Sequence, residues 1–241
     1  MVTTRQKATG RGEYKGFNTS LYVGDDVQTV LQNRAEVCTF FNSENLFIPH
    51  QTHSANILQI DEEFLKLNNE QQKNQLENID ALITNLPNVI VGITTADCVP
   101  ILLYAPDKHV VAAVHAGWRG TIKRILEKTI MCMVEQYGAD VLEIRVGIGP
   151  CISVENYEVG EGLIQNFKDN GFVKEEYFQF YENKNPHLNL KMINRDQVLN
   201  CGVLLKNIEI SPYCTFDNND LFYSARRQGI LSGRILSAIK G

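Results

Sequence analysis

Six cysteines and five histidines are the side chains of this 241-residue sequence best suited to hold a metal ion or to pair a nucleophile with a base. The most informative stretch runs from Thr94 to Thr121 and carries Cys98 and His115. Within it, Ala105-Pro-Asp-Lys108 is a turn sequence: proline presets φ, and aspartate can bond back to the backbone. With those four residues as the loop, Tyr104 faces His109 and Cys98 faces His115 across an antiparallel ladder. Direct cross-strand partners bring their Cβ atoms to about 4.5–5.5 Å. A thiol and an imidazole at that separation can share a metal ion or act as nucleophile and base. In the same register Pro100 opposes Ala113, which implies an edge, a bulge or an early end to pairing. A buried thiol beside a hydrogen-bonded core histidine is compatible with the same residues.

Upstream, His50-Gln-Thr-His53 precedes a run of strand chemistry. Histidines three apart share a helix face but point to opposite sides of a strand. Extended chain therefore admits one of the two into a shared site, and spacing does not say which. A cysteine with two histidines leaves a fourth position open to water, the pattern of catalytic rather than structural zinc. Beyond His115, two glycines and Arg119 lead into a helical pattern at Gly120-Thr121. Free N–H groups at a helix start beside a guanidinium can bind an anion. Gly147-Ile-Gly-Pro-Cys151 presents a further thiol after a tight turn. Arg226-Arg227 could hold a phosphate or carboxylate, or simply be solvated. Trp118 could wall a pocket or pack in the core.

The elements that must position these residues read as mixed α+β. Strand chemistry is expected at 37–41, 46–48, 56–60, 81–84, 89–95, 99–104, 110–114 and 143–148. An amphipathic helix is expected over 121–137, capped by Thr121 and stopped at Gly138. Further helices are expected over 194–206 and 231–239, with a short one after an Asp25 or Asp26 N-cap. The polar stretch 61–78 reads as a solvated helix with its loop, and 181–191 as a surface loop. No repeat or linker divides the chain, so one domain is expected. Hydrophobic residues at 44% and charged residues at 21% are ordinary for a globular protein. A net charge of −5 offers no electrostatic footprint for nucleic acid. The longest apolar runs are interrupted by Thr94, Asp97 and Pro106, well short of the ~18 residues of a membrane span. The polar, basic start lacks the apolar run of a signal peptide, so a cytoplasmic protein with free thiols is expected.

Five motifs in order resemble the YfiH-type family, whose members have been labelled multicopper polyphenol oxidoreductases or laccases. They are Gln51-Thr-His53-Ser, Thr95-Ala-Asp-Cys98-Val-Pro, Val114-His-Ala-Gly-Trp-Arg-Gly120, Gly147-Ile-Gly-Pro-Cys151, and Cys214 with Phe222-Tyr-Ser-Ala-Arg-Arg227. Gly24-Asp-Asp with Asn33-Arg34 fits the family's N-terminal pattern. The resemblance covers nearly the whole chain and implies a single YfiH-type domain over 1–241, with a central β-sandwich-like core of mixed sheets flanked by helices. It also implies a zinc site of His53, Cys98 and His115, with copper as a possible substitute. Ser54 departs from the glycine that many members carry there. Five histidines are too few for a mononuclear copper plus a trinuclear cluster.

Family members are associated with phosphorolysis of adenosine, inosine and methylthioadenosine, and with deamination of adenosine. The resemblance thus implies a nucleoside and phosphate as small-molecule partners. Zinc-activated water would displace ammonia. Arg119, Gly120 and Thr121 would hold phosphate, with Cys151, Arg226 and Arg227 as further candidates. Asp97 would orient a ligand imidazole or a substrate hydroxyl. One alternative is an amide hydrolase acting on peptidoglycan precursors, with Cys98 as nucleophile and His115 as base. Copper-dependent polyphenol oxidation could be a side activity. A non-catalytic binding module would need a closed site, with Cys151 or His50 as fourth ligand.

Overall fold

The apolar runs between 89 and 116 become the long strands around which the rest is built in this computed structural model, which describes residues 1–7 and 12–241. The strands are β1 (Asn45–Phe47), β2 (Ile57–Gln59), β3 (Ala81–Thr84), β4 (Val89–Thr95), β5 (Val99–Ala105) and β6 (Val110–Ala116). After them come β7 (Arg145–Ile148), β8 (Phe178–Gln179), β9 (His187–Leu188), β10 (Ile208–Ile210) and β11 (Ile235–Lys240). The helices are α1 (Val27–Phe41), α2 (Glu62–Lys66), α3 (Asn69–Gln75), α4 (Trp118–Ile122), α5 (Ile125–Tyr137), α6 (Glu161–Asp169), α7 (Leu190–Asn200) and α8 (Ala225–Gln228). Six strands form one mixed sheet in the order β10-β7-β5-β6-β3-β2, and three form a second in the order β1-β4-β11.

Strand alternation explains how the layers stack. On β6, Val110, Ala112, Val114 and Ala116 pack with Ile125, Leu126 and Ile130 of α5 and Ile193 of α7. Val111 and Ala113, on the opposite face, pack with Val89, Val91 and Ile93 of β4. The small sheet therefore covers one face of the large sheet and helices cover the other. Burial on both faces is why β6 reads as an unbroken apolar run. Each fully buried aliphatic side chain here contributes about 1.5–3 kcal/mol. This is the mixed α+β, sandwich-like architecture expected above.

Several elements differ from the sequence expectation. Residues 37–41 are the last turns of α1, where Val30, Asn33 and Val37 bury one helical face and Asp26 caps the start. The helix expected over 121–137 is two helices: Arg124 takes a left-handed conformation between α4 and α5, and Thr121 lies inside α4. Gly138, at φ +70°, ends α5 as expected. The helix expected from 194 starts earlier, at Leu190, with Asn189 as its cap. The stretch 231–239, read as a helix, contributes strand β11, which pairs antiparallel with β4. A short apolar run is ambiguous by periodicity, and pairing with β4 decided it.

The hairpin register is shifted by two. Tyr104 pairs with Val111 and Pro100 with His115, because the loop is 106–109 and His109 takes φ +52°. A two-residue shift keeps every side chain on its face, and Cys98 comes to lie just before the first residue of β5. Pro100 marks no edge, since β5 runs between β7 and β6. It sits near the strand's start, where the N–H of its partner His115 donates to the carbonyl of Asp80 instead.

Candidate active site

Strand β4 belongs to the small sheet and β5 to the large one, so Ala96-Asp97-Cys98 carries the chain from one layer to the other. Asp97 has φ +92°, a conformation that neighbours must hold in place. Its Oδ1 accepts from the Thr215 hydroxyl (2.7 Å), its Oδ2 from the Arg226 N–H (2.7 Å), and its carbonyl from the Ile152 N–H (3.0 Å). Both carboxylate oxygens are thus used in fixing the crossover that presents Cys98. Asp97 orients no imidazole.

That task falls to Asp80, which sequence reasoning missed. Fully buried before β3, its Oδ1 lies 2.6 Å from His115 Nδ1 and accepts from the His53 N–H at 3.1 Å. Its Oδ2 accepts from the N–H of Thr52 (3.2 Å) and Ser54 (2.6 Å), with the Ser54 hydroxyl also at 2.6 Å. One carboxylate therefore aims the His115 ring and clamps the loop that presents His53, itself held at φ +61°. Burial alone would raise the Asp80 carboxyl. The hydrogen bond and charge of His115, with the bonds from Ser54, outweigh it and hold the group down at about 2. The serine that departs from the family pattern is part of this clamp. The sequence signal was slight: one acidic residue opening an otherwise apolar strand.

With Nδ1 of His115 committed to Asp80, its Nε2 is left for a ligand, the arrangement of a carboxylate–histidine–metal site. His53 Nε2 is 3.6 Å from Cys98 Sγ, and one donor atom from each of the three residues falls within a 4.8 Å cluster. Zinc bond lengths of 2.3 Å to sulfur and 2.0–2.1 Å to nitrogen, at tetrahedral angles, separate such donors by about 3.5 Å. The donor set and its spacing fit a divalent metal ion. Without one, the groups pair electrostatically. Burial raises the Cys98 thiol, but His115 and His53 outweigh it and bring it to about 6. Burial lowers His115, but Cys98 and Asp80 outweigh it and bring it to about 9.

Gly117 makes this approach possible. A Cβ there would lie 2.6 Å from His53 Cδ2 and 3.0 Å from Cys98 Sγ. Gly117→Ala should therefore push the two ligands apart and weaken metal binding about tenfold or more, on the scale of lost ligand-positioning contacts. Competition against a chromophoric chelator measures this directly.

The three donors line a cleft of about 520 Å³. Tyr22 and His50 form one side, their rings stacked 4.1 Å apart at 14°. His50 Nδ1 is engaged by Glu77 at 2.5 Å, so His50 belongs to the rim and His53 to the donor set. Ile152, Tyr157, Arg226, Ile230 and Arg234 also line it. Arg226 lies over the Tyr157 ring at 5.1 Å.

The other expected site residues lie off this cleft. Arg119 is exposed and stacks on Trp118 at 4.1 Å. Gly120 packs under the carbonyls of His115 and Ser54. Thr121 is buried, its hydroxyl accepting from Asn194 and its carbonyl from Gln197. Cys151 is buried and raised to about 12, chiefly by that burial. Arg227 turns away over the Phe216 ring.

His53, Cys98 and His115, which could together hold a metal ion, line a cleft beside a buried carboxylate that fixes two of them. The chain belongs to the family described as multi-copper polyphenol oxidoreductase laccase, whose model matches residues 1–240. It is 39% identical to a purine nucleoside phosphorylase of Bacteroides thetaiotaomicron, covering 99% of this chain and 89% of that one. It is 38% identical to adenosine deaminase RL5 of an unknown prokaryotic organism, covering 98% and 91%. Among solved structures it is similar to the Bacillus licheniformis hypothetical protein YfiH, with a TM-score of 0.92 and 28% identity over 99% of this chain and 91% of that one.

Proposed function

We propose that the protein is a zinc-dependent, cytoplasmic enzyme of purine nucleosides, phosphorolysing adenosine, inosine and methylthioadenosine and deaminating adenosine. The observation that carries this reading is the His53–Cys98–His115 donor set, aimed by Asp80 into a cleft with an aromatic rim. The names of the relatives at 38–39% identity support the substrate class. No helix among the described residues is long and apolar enough to cross a membrane.

One sulfur and two nitrogens favour zinc, or a single copper in its place. The other three histidines do not join the site: His50 pairs with Glu77, His109 turns the hairpin, and His187 Nδ1 bonds to the Val154 carbonyl. That leaves no imidazoles for a trinuclear copper cluster. A divalent ion held by the three donors would supply Lewis-acid chemistry. Around it, Asp80 keeps His115 in one tautomer, Asp97 fixes the backbone at Cys98, and the Tyr22–His50 pair offers a flat face for a purine ring. Deamination takes adenosine and water to inosine and ammonia. Phosphorolysis takes a nucleoside and phosphate to free base and ribose 1-phosphate.

The test is incubation with adenosine and phosphate, products resolved by chromatography, beside metal analysis of wild type and Cys98→Ala. Adenine with ribose 1-phosphate, or inosine, is expected from wild type. Both activity and zinc should be lost in the variant. No turnover despite stoichiometric zinc would overturn the reading.

A second reading rests on Cys98, His115 and Asp80 forming a nucleophile–base–orienter series. In that case the metal-free protein would hydrolyse an amide, such as a peptidoglycan precursor.

A further inference from the structure

We propose that Arg234 and Arg226, with the hydroxyl of Thr95, form an oxyanion subsite on the cleft wall that takes inorganic phosphate. The inference rests on the nucleoside reading and adds to it the residues that would hold the second substrate.

Arg234 lies just before β11 and lines the cleft. Its Nη1 donates to the carbonyls of Ser232 (2.5 Å) and Gly233 (3.0 Å), and its Nη2 to that of Ile230 (3.2 Å). These partners are neutral. The turn that supplies them is itself fixed, because Gly233 sits so close to the Tyr223 ring that a Cβ would lie 2.5 Å from it. Arg226, an exposed residue that lines the same cleft, donates to the Glu158 carbonyl at 2.7 Å. Among the described residues, neither guanidinium has a carboxylate within ion-pair distance. Acidic groups are not scarce, since the chain carries 28 of them against 23 lysines and arginines. Of the two, Arg234 is the partly buried one: Cys98 and Asp97 act on its charge from a distance, but neither is in contact, and an anion that paired with it directly would relieve the cost of its burial.

A second, independent feature marks the same wall. Thr95 is 1% exposed, lines the cleft, and its Oγ1 has no hydrogen-bond partner. It pairs across the sheet with Ile235, the residue after Arg234. The buried hydroxyl of Thr19 likewise lacks a partner, and the Thr19 N–H donates to the Arg234 carbonyl. Guanidinium groups only donate and hydroxyls can donate, so together they match a tetrahedral anion whose oxygens accept. The arginines that line the cleft, rather than Arg119 outside it, are placed to present phosphate to a nucleoside on the aromatic rim. In the step this serves, a hydrogenphosphate oxygen bonds to C1′ and the C1′–N9 bond breaks. Its electron pair stays on N9, which takes the proton that the phosphate gives up.

Deamination uses water, so it separates this role from base binding or metal binding. Arg234→Gln should raise KM for phosphate about tenfold or more, move the nucleoside KM far less, and raise the ratio of deamination to phosphorolysis about tenfold. Arg234→Lys should recover part of the loss. Calorimetric titration with inorganic phosphate alone, on the zinc-loaded protein, tests the site without turnover. It decides the inference even if no nucleoside is consumed. Wild type should bind phosphate, while Arg234→Gln and the exposed-site variant Arg226→Gln should bind it about tenfold more weakly. Adenosine monophosphate is the second probe. Phosphate affinity unchanged in both variants, or Arg234-dependent binding of the nucleotide but not of free phosphate, would overturn the assignment.

Discussion

Asp80→Ala is expected to abolish stoichiometric metal binding and to lower the stability of the metal-free protein by about 3–5 kcal/mol, the usual cost of breaking a buried ionic pair from one side. The deletion leaves three backbone N–H groups at 52–54 and the His115 Nδ1 without the one buried carboxylate that all of them bond. Loss of a carboxylate that orients a single ligand histidine lowers metal affinity about 10–100-fold. Asp80 positions two of the three ligands, so the larger figure is the floor here. Asp80→Asn tests the geometry more finely. With its carbonyl oxygen at the Oδ1 position it can still accept from His115 and the His53 N–H, but its NH2 then faces the N–H groups of Thr52 and Ser54, which lose their acceptor. Thermal unfolding in chelator, with metal competition in parallel, measures both effects. Wild-type zinc affinity in Asp80→Ala would remove Asp80 from the account of the site. The same carboxyl makes an acid prediction. Because it is held at about 2, below its unfolded value, its stabilisation is complete above about pH 4 and is lost as pH falls through about 2. The stability gap between wild type and Asp80→Asn should close over that interval.

How far the site was legible follows from which contacts are local. Cys98 and His115 were brought together from a turn and a strand period, even though the register was two residues off, because a shift of two keeps both on one face. The choice of His53 over His50 was not available from spacing. It depends on a left-handed residue at His53 and on N–H bonds to a carboxylate 27 residues away. Asp80 stayed hidden for the same reason, since its partners are mostly backbone groups of a distant loop. The segment holding β11 was misread as a helix because its apolar residues suit either period until β4 offers a ladder. Arg234 went unassigned with it: its place on the cleft wall exists only once that strand is docked. The helix start expected at Gly120-Thr121 lies three residues earlier: α4 begins at Trp118 with Gly117 as its cap, so Thr121 is inside the helix and Gly117 is the residue that abuts His53 and Cys98.

Cys98 should be the one thiol whose alkylation is switched by the metal, and this is the second large effect. In the metal-free protein at pH 6, a thiol brought to about 6 is half thiolate, against about 0.1% for one near 9. Intrinsic nucleophilicity falls with pKa, by about 0.4–0.5 log units per unit, which reduces that advantage to about twentyfold. The other thiols with displaced pKa values move the opposite way: burial pushes Cys38 and Cys132 up, Cys201 to about 11 and Cys151 to about 12. Iodoacetamide followed by peptide mapping should therefore label Cys98 first after chelation. Adding zinc beforehand should slow that labelling about a hundredfold, because a coordinated thiolate has its lone pair engaged. Labelling that ignores zinc would take Cys98 out of the metal site. The same samples separate the two functional readings. If Cys98 is a ligand, alkylated protein cannot regain nucleoside turnover when zinc is restored, and unlabelled metal-free protein can. If Cys98 is a nucleophile, amide hydrolysis belongs to the metal-free form, is lost in step with labelling, and is suppressed rather than restored by zinc.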